Sequence, residues 1–500
     1  MAPIALHRPA TASLALGHAA LLLAQAAIAL WLGLPGHLST DSIIQLYEGR
    51  TLQRLSFNPP LMSMLLGAFD RLGNAPIAFV LLSQVLLTAA SWLVLQESRR
   101  GGQRGGWRLA LAALCLLNPV VLIHVGIVWK DVLLGHAVVL LYLLIARAWR
   151  RRTRVGWAWS AAIALLLTIV LGARQQGALF ALPAAVWAAA ALVRARLPLP
   201  IQSPARAAIA RLAPPFAAAL LVFALLPLAA NRIVASLPQQ ATPQAVDSAS
   251  VGWRVLAQFD LVGILAHGGR LPAAALPPPV ADSLQAEVAR YTPYRVDTLR
   301  TDNRYWLVPP AQVARVWFDA IRLNPLAYAQ HRFAHFFTLL GLADRQSCVP
   351  IHSGVGGPVV IDGAPADLVE LLGLRTGPYR NSDEVQDIAH ATLDTPLYMH
   401  AFYAIVIAML TVLLAKRREF VLATLAACSL AFLGSYYLIG IACDFRYAYT
   451  LTVATSLLAA QWLLTAPGPT GARPADAARQ ASDTLPLGGQ TGAAQHGQPT

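Results

Sequence analysis

The chain has 500 residues, 57% of them hydrophobic and 12% charged, with a mean hydropathy of +0.54, which excludes an ordinary soluble protein of this length. A formal charge of +14 would suit a nucleic-acid binder, but the arginines are spread over alternate connections between apolar runs instead of one polar face, so that class is excluded too. What remains is an all-α polytopic membrane protein.

Apolar runs near the roughly 20 residues that cross a bilayer fall at about 12–34, 75–96, 107–125, 132–148, 157–172, 177–193, 212–230, 397–415, 420–441 and 447–465, predicting about ten transmembrane helices. The first exceeds the roughly 7–15 apolar residues of a secretory signal and has no small-residue cleavage site after it, so it reads as a permanent helix. Basic residues collect in four connections: Arg99, Arg100, Arg104 and Arg108; Arg147, Arg150, Arg151, Arg152 and Arg154; Arg194, Arg196, Arg206 and Arg211; and Lys416, Arg417 and Arg418. The positive-inside rule makes these cytoplasmic and puts both termini on the same side. Of 38 basic residues only Lys130 and Lys416 are lysine, a bias expected of a GC-rich bacterium. Lys130 is then either kept for its compact ammonium or a lysine snorkelling at a helix end.

This pattern divides the chain into an N-terminal membrane domain at 1–230 with seven spans, an external periplasmic domain at 231–395, a C-terminal membrane domain at 396–465 with three spans, and a disordered cytoplasmic tail at 466–500. The first external loop, 35–74, contains Asn58-Pro59-Pro60 and an apolar run too short to span, which predicts one or two interfacial helices. Within the external domain, Gln312 to Leu342 interleaves aromatics with Arg315, Arg322, His331, Arg332 and His335 and is interrupted at Asn324-Pro325, the pattern of a broken amphipathic helix resting on the membrane. Cys115 and Cys428 lie in spans, whereas Cys348 and Cys443 lie on the outer side, where oxidation permits pairing without the sequence showing that they approach.

Four polar motifs interrupt the apolar pattern, all on the external side: Ser39-Thr40-Asp41-Ser42, Trp129-Lys130-Asp131, Arg174-Gln175-Gln176 and Asp444-Phe445-Arg446-Tyr447. Ionisable groups at a membrane boundary are costly unless they pair or meet a charged ligand. Asp41 is the candidate general base, the alternative being a helix N-terminus with Ser42 and Gln45 as a capping box. Lys130 is a candidate phosphate contact that Asp131 would orient, or else a snorkelling lysine beside a capping aspartate. Arg174 runs against the charge bias of the topology, which favours anion binding over a headgroup contact. Arg446 is read as a phosphate clamp or a partner of Asp444, and Phe445, Tyr447 and Tyr449 as an interfacial aromatic belt.

With these motifs, and the Asn58-Pro59-Pro60 entry and Gly177 beside them, the membrane part resembles the GT-C class of integral-membrane glycosyltransferases, particularly bacterial protein O-mannosyltransferases and lipid A aminoarabinose transferases. The resemblance is one of layout and implies a GT-C-like fold, an inner-membrane location and a polyprenyl-phosphate-linked sugar as donor. It implies Asp41 as catalytic base and Lys130, Arg174 and Arg446, with Asp131, as substrate contacts. The acceptor would be a lipid, glycan or protein; membrane lipids are the other partners, and no nucleic acid is involved. Many members carry an acidic pair in the first loop, whereas Ser42 follows Asp41 here, which leaves a divalent metal open. The expected activity is inverting sugar transfer on the periplasmic face. The rivals are a transporter or flippase of a lipid-linked or anionic solute, and an inactive envelope scaffold.

Overall fold

The computed structural model describes residues 9–56, 58–98, 106–151, 155–196, 205–236, 248–272, 276–300, 303–343, 345–348, 351–361 and 364–465. The expected tail at 466–500 and the arginines at 99, 100, 104, 152 and 154 lie outside them. The described chain is all-helical, with isolated bridges in place of strands. The helices are α1 (Pro9–Gly33), α2 (Thr40–Thr51), α3 (Pro60–Arg71), α4 (Ala75–Ser98), α5 (Gly106–Leu116), α6 (Pro119–His124), α7 (Lys130–Arg151), α8 (Trp157–Ala173), α9 (Ala178–Arg196) and α10 (Ala205–Ser236). There follow α11 (Ser248–Ala266), α12 (Pro278–Ala286), α13 (Asn303–Leu307), α14 (Pro310–Leu323), α15 (Pro325–Leu339), α16 (Leu368–Leu371), α17 (Ser382–Leu393), α18 (His400–Lys416), α19 (Phe420–Ile439) and α20 (Tyr449–Thr465).

Seven of the helical stretches are long and apolar enough to cross a bilayer, which marks a multi-pass membrane protein. The other three expected spans are α8, α18 and α20, helices of 17 residues each. At 1.5 Å per residue these reach about 25 Å, short of a 30 Å hydrocarbon core. α7 is the hub. It is apolar on every side, as an interior helix must be, and packs against α4, α8, α9, α19 and α20. α20 carries Thr450, Thr452, Thr455, Ser456 and Gln461 in the interior, which keeps its hydropathy low although it is buried. α1 and α10 show most of their apolar surface outward, as lipid-facing helices do.

The loop expected as the first external one forms two helices, α2 and α3, that cross where Gly49 meets Gly67 backbone to backbone. Glu48, fully buried, fastens the connection between them: it accepts from the Leu55 and Ser56 amides at 2.8 and 2.6 Å and from Ser63 Oγ at 2.6 Å. Arg50 adds a two-pronged contact to Asp70 at 2.8 and 2.9 Å. The extended segment before α2 is held on both sides. His37 N donates to Gly126 O at 2.8 Å and Val128 N to His37 O at 3.0 Å, while Leu38 N donates to Gly354 O at 2.8 Å and Gly356 N to Leu38 O at 3.1 Å.

The region expected as one external domain contains two kinds of packing. Buried residues between Ala257 and Ala327 form a core of their own, whereas those from Leu339 to Tyr398 join the core of the helical bundle. The amphipathic reading of Gln312 to Leu342 places the break correctly, at Asn324, but α15 turns its polar residues the other way. His331, Arg332 and His335 are fully buried, while Phe333 and Phe337 are 61% and 38% exposed. The reason is Asp260 of α11, also fully buried, which accepts from Trp317 Nε1 at 2.8 Å, lies 3.0 Å from His331 Nε2 and pairs with Arg332. A buried carboxylate draws Arg332 and the His331 ring inward against the hydrophobic pattern.

At the α2–α3 crossing a Cβ on Gly49 would collide with Ser63 O and the Gly67 backbone. Gly49→Ala is expected to destabilise the protein by about 1–3 kcal/mol, the usual range for overpacking, measured by thermal unfolding in detergent.

Candidate functional site

Each of the four polar motifs is delivered by a different structural device. Asp41 lies in the first turn of α2, where the helix dipole favours a carboxylate. No side-chain cap forms at Ser39, so the capping-box alternative is not what occupies this end: Ser42 Oγ instead donates to Val128 O at 2.6 Å. Trp129 Nε1 donates to Ser39 Oγ at 2.7 Å, binding the first motif to the second. Lys130 and Asp131 open α7; a cation at a helix N-terminus opposes the dipole, so local helix energetics do not account for Lys130. Arg174 sits in extended backbone between α8 and a short 3-10 turn at Gln175–Gly177. Arg446 lies in a 3-10 turn at Phe445–Ala448 that leads into α20.

These devices bring the expected site residues together. Arg446 Nη1 donates to Asp41 Oδ2 at 2.6 Å, and its Nε lies 3.4 Å from Asp444 Oδ2. Arg174 pairs with Asp131 and donates through Nε to Gln176 Oε1 at 3.0 Å. Lys130 Nζ donates to Asn58 Oδ1 at 2.5 Å, within electrostatic reach of Asp41, Asp131, Arg174 and Arg446. The charges of Lys130, Arg174 and Arg446 are therefore matched in number by those of Asp41, Asp131 and Asp444, with Arg295 as a further cation 3.6 Å from Asp444.

Aromatic rings complete the walls. The Arg446 guanidinium stands 4.9 Å from the Trp129 ring and 5.2 Å from that of Tyr447; Arg174 stands 5.0 Å from Tyr447 and 5.5 Å from Tyr436. Tyr447 thus lies between two arginines. This corrects the reading of Phe445, Tyr447 and Tyr449 as an interfacial belt: Phe445 and Tyr449 are buried, stacked with His400 and His124. The belt pattern in sequence and a cation-binding aromatic look the same until the arginines are placed.

Three contributors carried no signal of their own in the sequence. Asn58 was read only as part of a proline-rich entry. Tyr436 lies in the apolar run of α19 and donates to Tyr447 O at 2.7 Å. His352, in the loop before Gly354, brings Nε2 to 2.8 Å from Leu38 O, three residues before Asp41; burial lowers its pKa, the bond to Leu38 O opposes that, and Arg446 adds a smaller push downward. No group of His, Cys, Asp and Glu suited to hold a metal ion occurs among the described residues.

Electrostatics decide the state of Asp41. Burial pushes its carboxyl up, but Arg446, Lys130 and Arg174 together outweigh that and hold it down at about 2. A carboxylate this well gripped is a weak base. The arrangement gains proton-accepting power only if an anion draws Arg446 away, since removing the cation restores the basicity it suppresses.

Arg174 and Asp131 are a mostly buried pair, with side-chain exposures of 12% and 4%. Arg174→Gln, which strands the carboxylate, is expected to cost about 3 kcal/mol or more, and adding Asp131→Asn to recover most of that loss in an unfolding cycle. Because the folded-state pKa of Asp41 lies below the ordinary 3.8, its contribution to stability is complete above about pH 4 and lost as the pH falls through about 2. Asp41→Asn should therefore flatten the acid limb of the melting temperature between those limits. Comparison of the chain with protein-family models, with curated proteins and with solved structures finds no match.

Proposed function

We propose that the protein is a glycosyltransferase of the bacterial inner membrane, with ten helices crossing the bilayer and both termini cytoplasmic, that moves a sugar from a polyprenyl phosphate to an acceptor hydroxyl on the periplasmic face. The observation that carries this reading is the meeting of Asp41, Lys130, Arg174 and Arg446 in one cluster, although they arise from four separate parts of the chain.

The chemistry follows from partner exchange. The donor phosphate engages Arg446 and Lys130, with Arg174 held in register by Asp131. Drawing Arg446 onto the phosphate releases Asp41, whose pKa then rises toward that of an ordinary carboxylate. Asp41 takes the proton of the acceptor hydroxyl as its oxygen bonds to the anomeric carbon. On the opposite face the bond from that carbon to the phosphate oxygen breaks, and the electron pair leaves with the polyprenyl phosphate, inverting the anomeric centre. Lys130 and Arg446 stabilise the charge that develops on the leaving group. The base is thus strengthened only when donor is bound.

A transporter reading draws on one observation, the histidines buried in the helical core. His136 lies 2.9 Å from both Ser83 Oγ and Tyr449 OH, and His124 stacks on Tyr449. Ionisable side chains at such depth are frequent in translocation paths. Sugar transfer by the purified protein in detergent, where no gradient exists, separates the two. With a labelled lipid-linked sugar, Asp41→Asn is expected to lower kcat by about 100-fold or more, while Arg446→Lys mainly raises the donor KM. Wild-type turnover by Asp41→Asn would remove Asp41 as base, and solute flux in proteoliposomes without sugar transfer would favour the transporter.

A further inference from the structure

The segment that carries Arg446 is gripped along its length by the external part of the chain. Arg332 Nη1 donates to Gly440 O at 2.6 Å, Val296 N to Ile441 O at 2.8 Å and Cys443 N to Tyr294 O at 2.8 Å. Cys443 is joined to Cys348 by a disulfide. Arg295, between Tyr294 and Val296, reaches over this anchor: its Nη2 donates to Ser347 O at 3.1 Å and lies 3.6 Å from Asp444 Oδ1. The other oxygen of Asp444 faces Arg446 Nε at 3.4 Å. Asp444 therefore stands between two arginines, one from the external segment and one from the proposed donor site.

We propose that Arg295 is a positioning residue for donor binding, and that the external segment acts as a brace setting how strongly Asp444 holds Arg446. The proposal rests on the transferase reading. A carboxylate shared between two guanidinium groups binds each less tightly than it would bind one alone, because each cation lowers the potential that the other meets. Arg295 draws on Asp444 from the outer side and so leaves Arg446 freer to turn toward a phosphate. Without Arg295, Asp444 competes fully for Arg446, and the donor must overcome that competition. The disulfide and the backbone bonds fix the distance over which this sharing operates.

The expected size is modest, because Arg295 is 26% exposed and Asp444 13%. A pair of this kind is worth up to about 1 kcal/mol, which corresponds to about a fivefold change in affinity. The probe is undecaprenyl phosphate, titrated into the intact purified protein in detergent. Arg295→Ala is expected to weaken its binding about fivefold, and Arg295→Lys, which keeps a cation near Asp444, to restore most of the loss. The decisive arm is the same substitution in an Asp444→Asn background, where the competing charge is gone and Arg295→Ala should have no further effect. A merely structural role for Arg295 would leave its effect unchanged in that background. Equal binding by wild type and Arg295→Ala, or equal losses with and without Asp444, overturns the brace alone. Failure of the wild-type protein to bind undecaprenyl phosphate overturns the donor reading and the brace with it.

Discussion

The ion pair between Asp41 and Arg446 joins residues 405 positions apart, and the arrangement of the polar cluster depends on it. One partner stands at the start of a short interfacial helix, the other at the entry to the last helix of the bundle. For them to meet, the chain between must place α7, with Lys130 and Asp131 at its head, directly beneath, and must bring Arg174 in from the α8–α9 turn. The pair therefore marks the closure of the bundle as much as a feature of its chemistry.

The continuous apolar core is supplemented at that closure by a set of local polar devices. The segment from His37 to Ser39 is hydrogen-bonded on one side to the chain before Lys130 and on the other to the loop at Gly354–Gly356, so three distant parts of the sequence share one short ribbon. Glu48 gives the first loop its shape by satisfying two amides and a hydroxyl. In the outer segment Asp260 performs a similar service for Trp317, His331 and Arg332. In the last two cases a buried carboxylate organises backbone or polar side chains that apolar packing would leave unspecified.

Much of this was legible in the residues, and what was not had a common cause. Hydropathy and arginine distribution are local signals, and they located the apolar helices, the two helices of the first loop and the break at Asn324. The four polar motifs were visible because charge is conspicuous in an apolar chain. Partnership is not a local property. Nothing in Asp444-Phe445-Arg446-Tyr447 says that Arg446 meets Asp41, or that Tyr447 packs against Arg174 and not against lipid. The inward turn of His331 and Arg332 depends on Asp260, a single acid within an apolar stretch some 70 residues earlier in chain order that does not alter the periodicity of α15. Cys348 and Cys443 could be placed on the same side, but only the fold brings their Cα atoms to 5.4 Å.

The pairing of charge in this cluster carries a consequence for the transferase reading proposed above. Lys130, Arg174 and Arg446 already face Asp41, Asp131 and Asp444, and Arg295 shares Asp444 from the other side, so much of the cationic charge is engaged before any ion arrives. An incoming oxyanion gains only the difference between itself and the carboxylate it displaces, and for inorganic phosphate that difference is small. A molecule tethered by a hydrocarbon chain is in addition held at the membrane, by about 0.8 kcal/mol for each methylene withdrawn from water. On the transferase reading, cations already engaged by carboxylates would favour a headgroup presented at the membrane over its soluble counterpart.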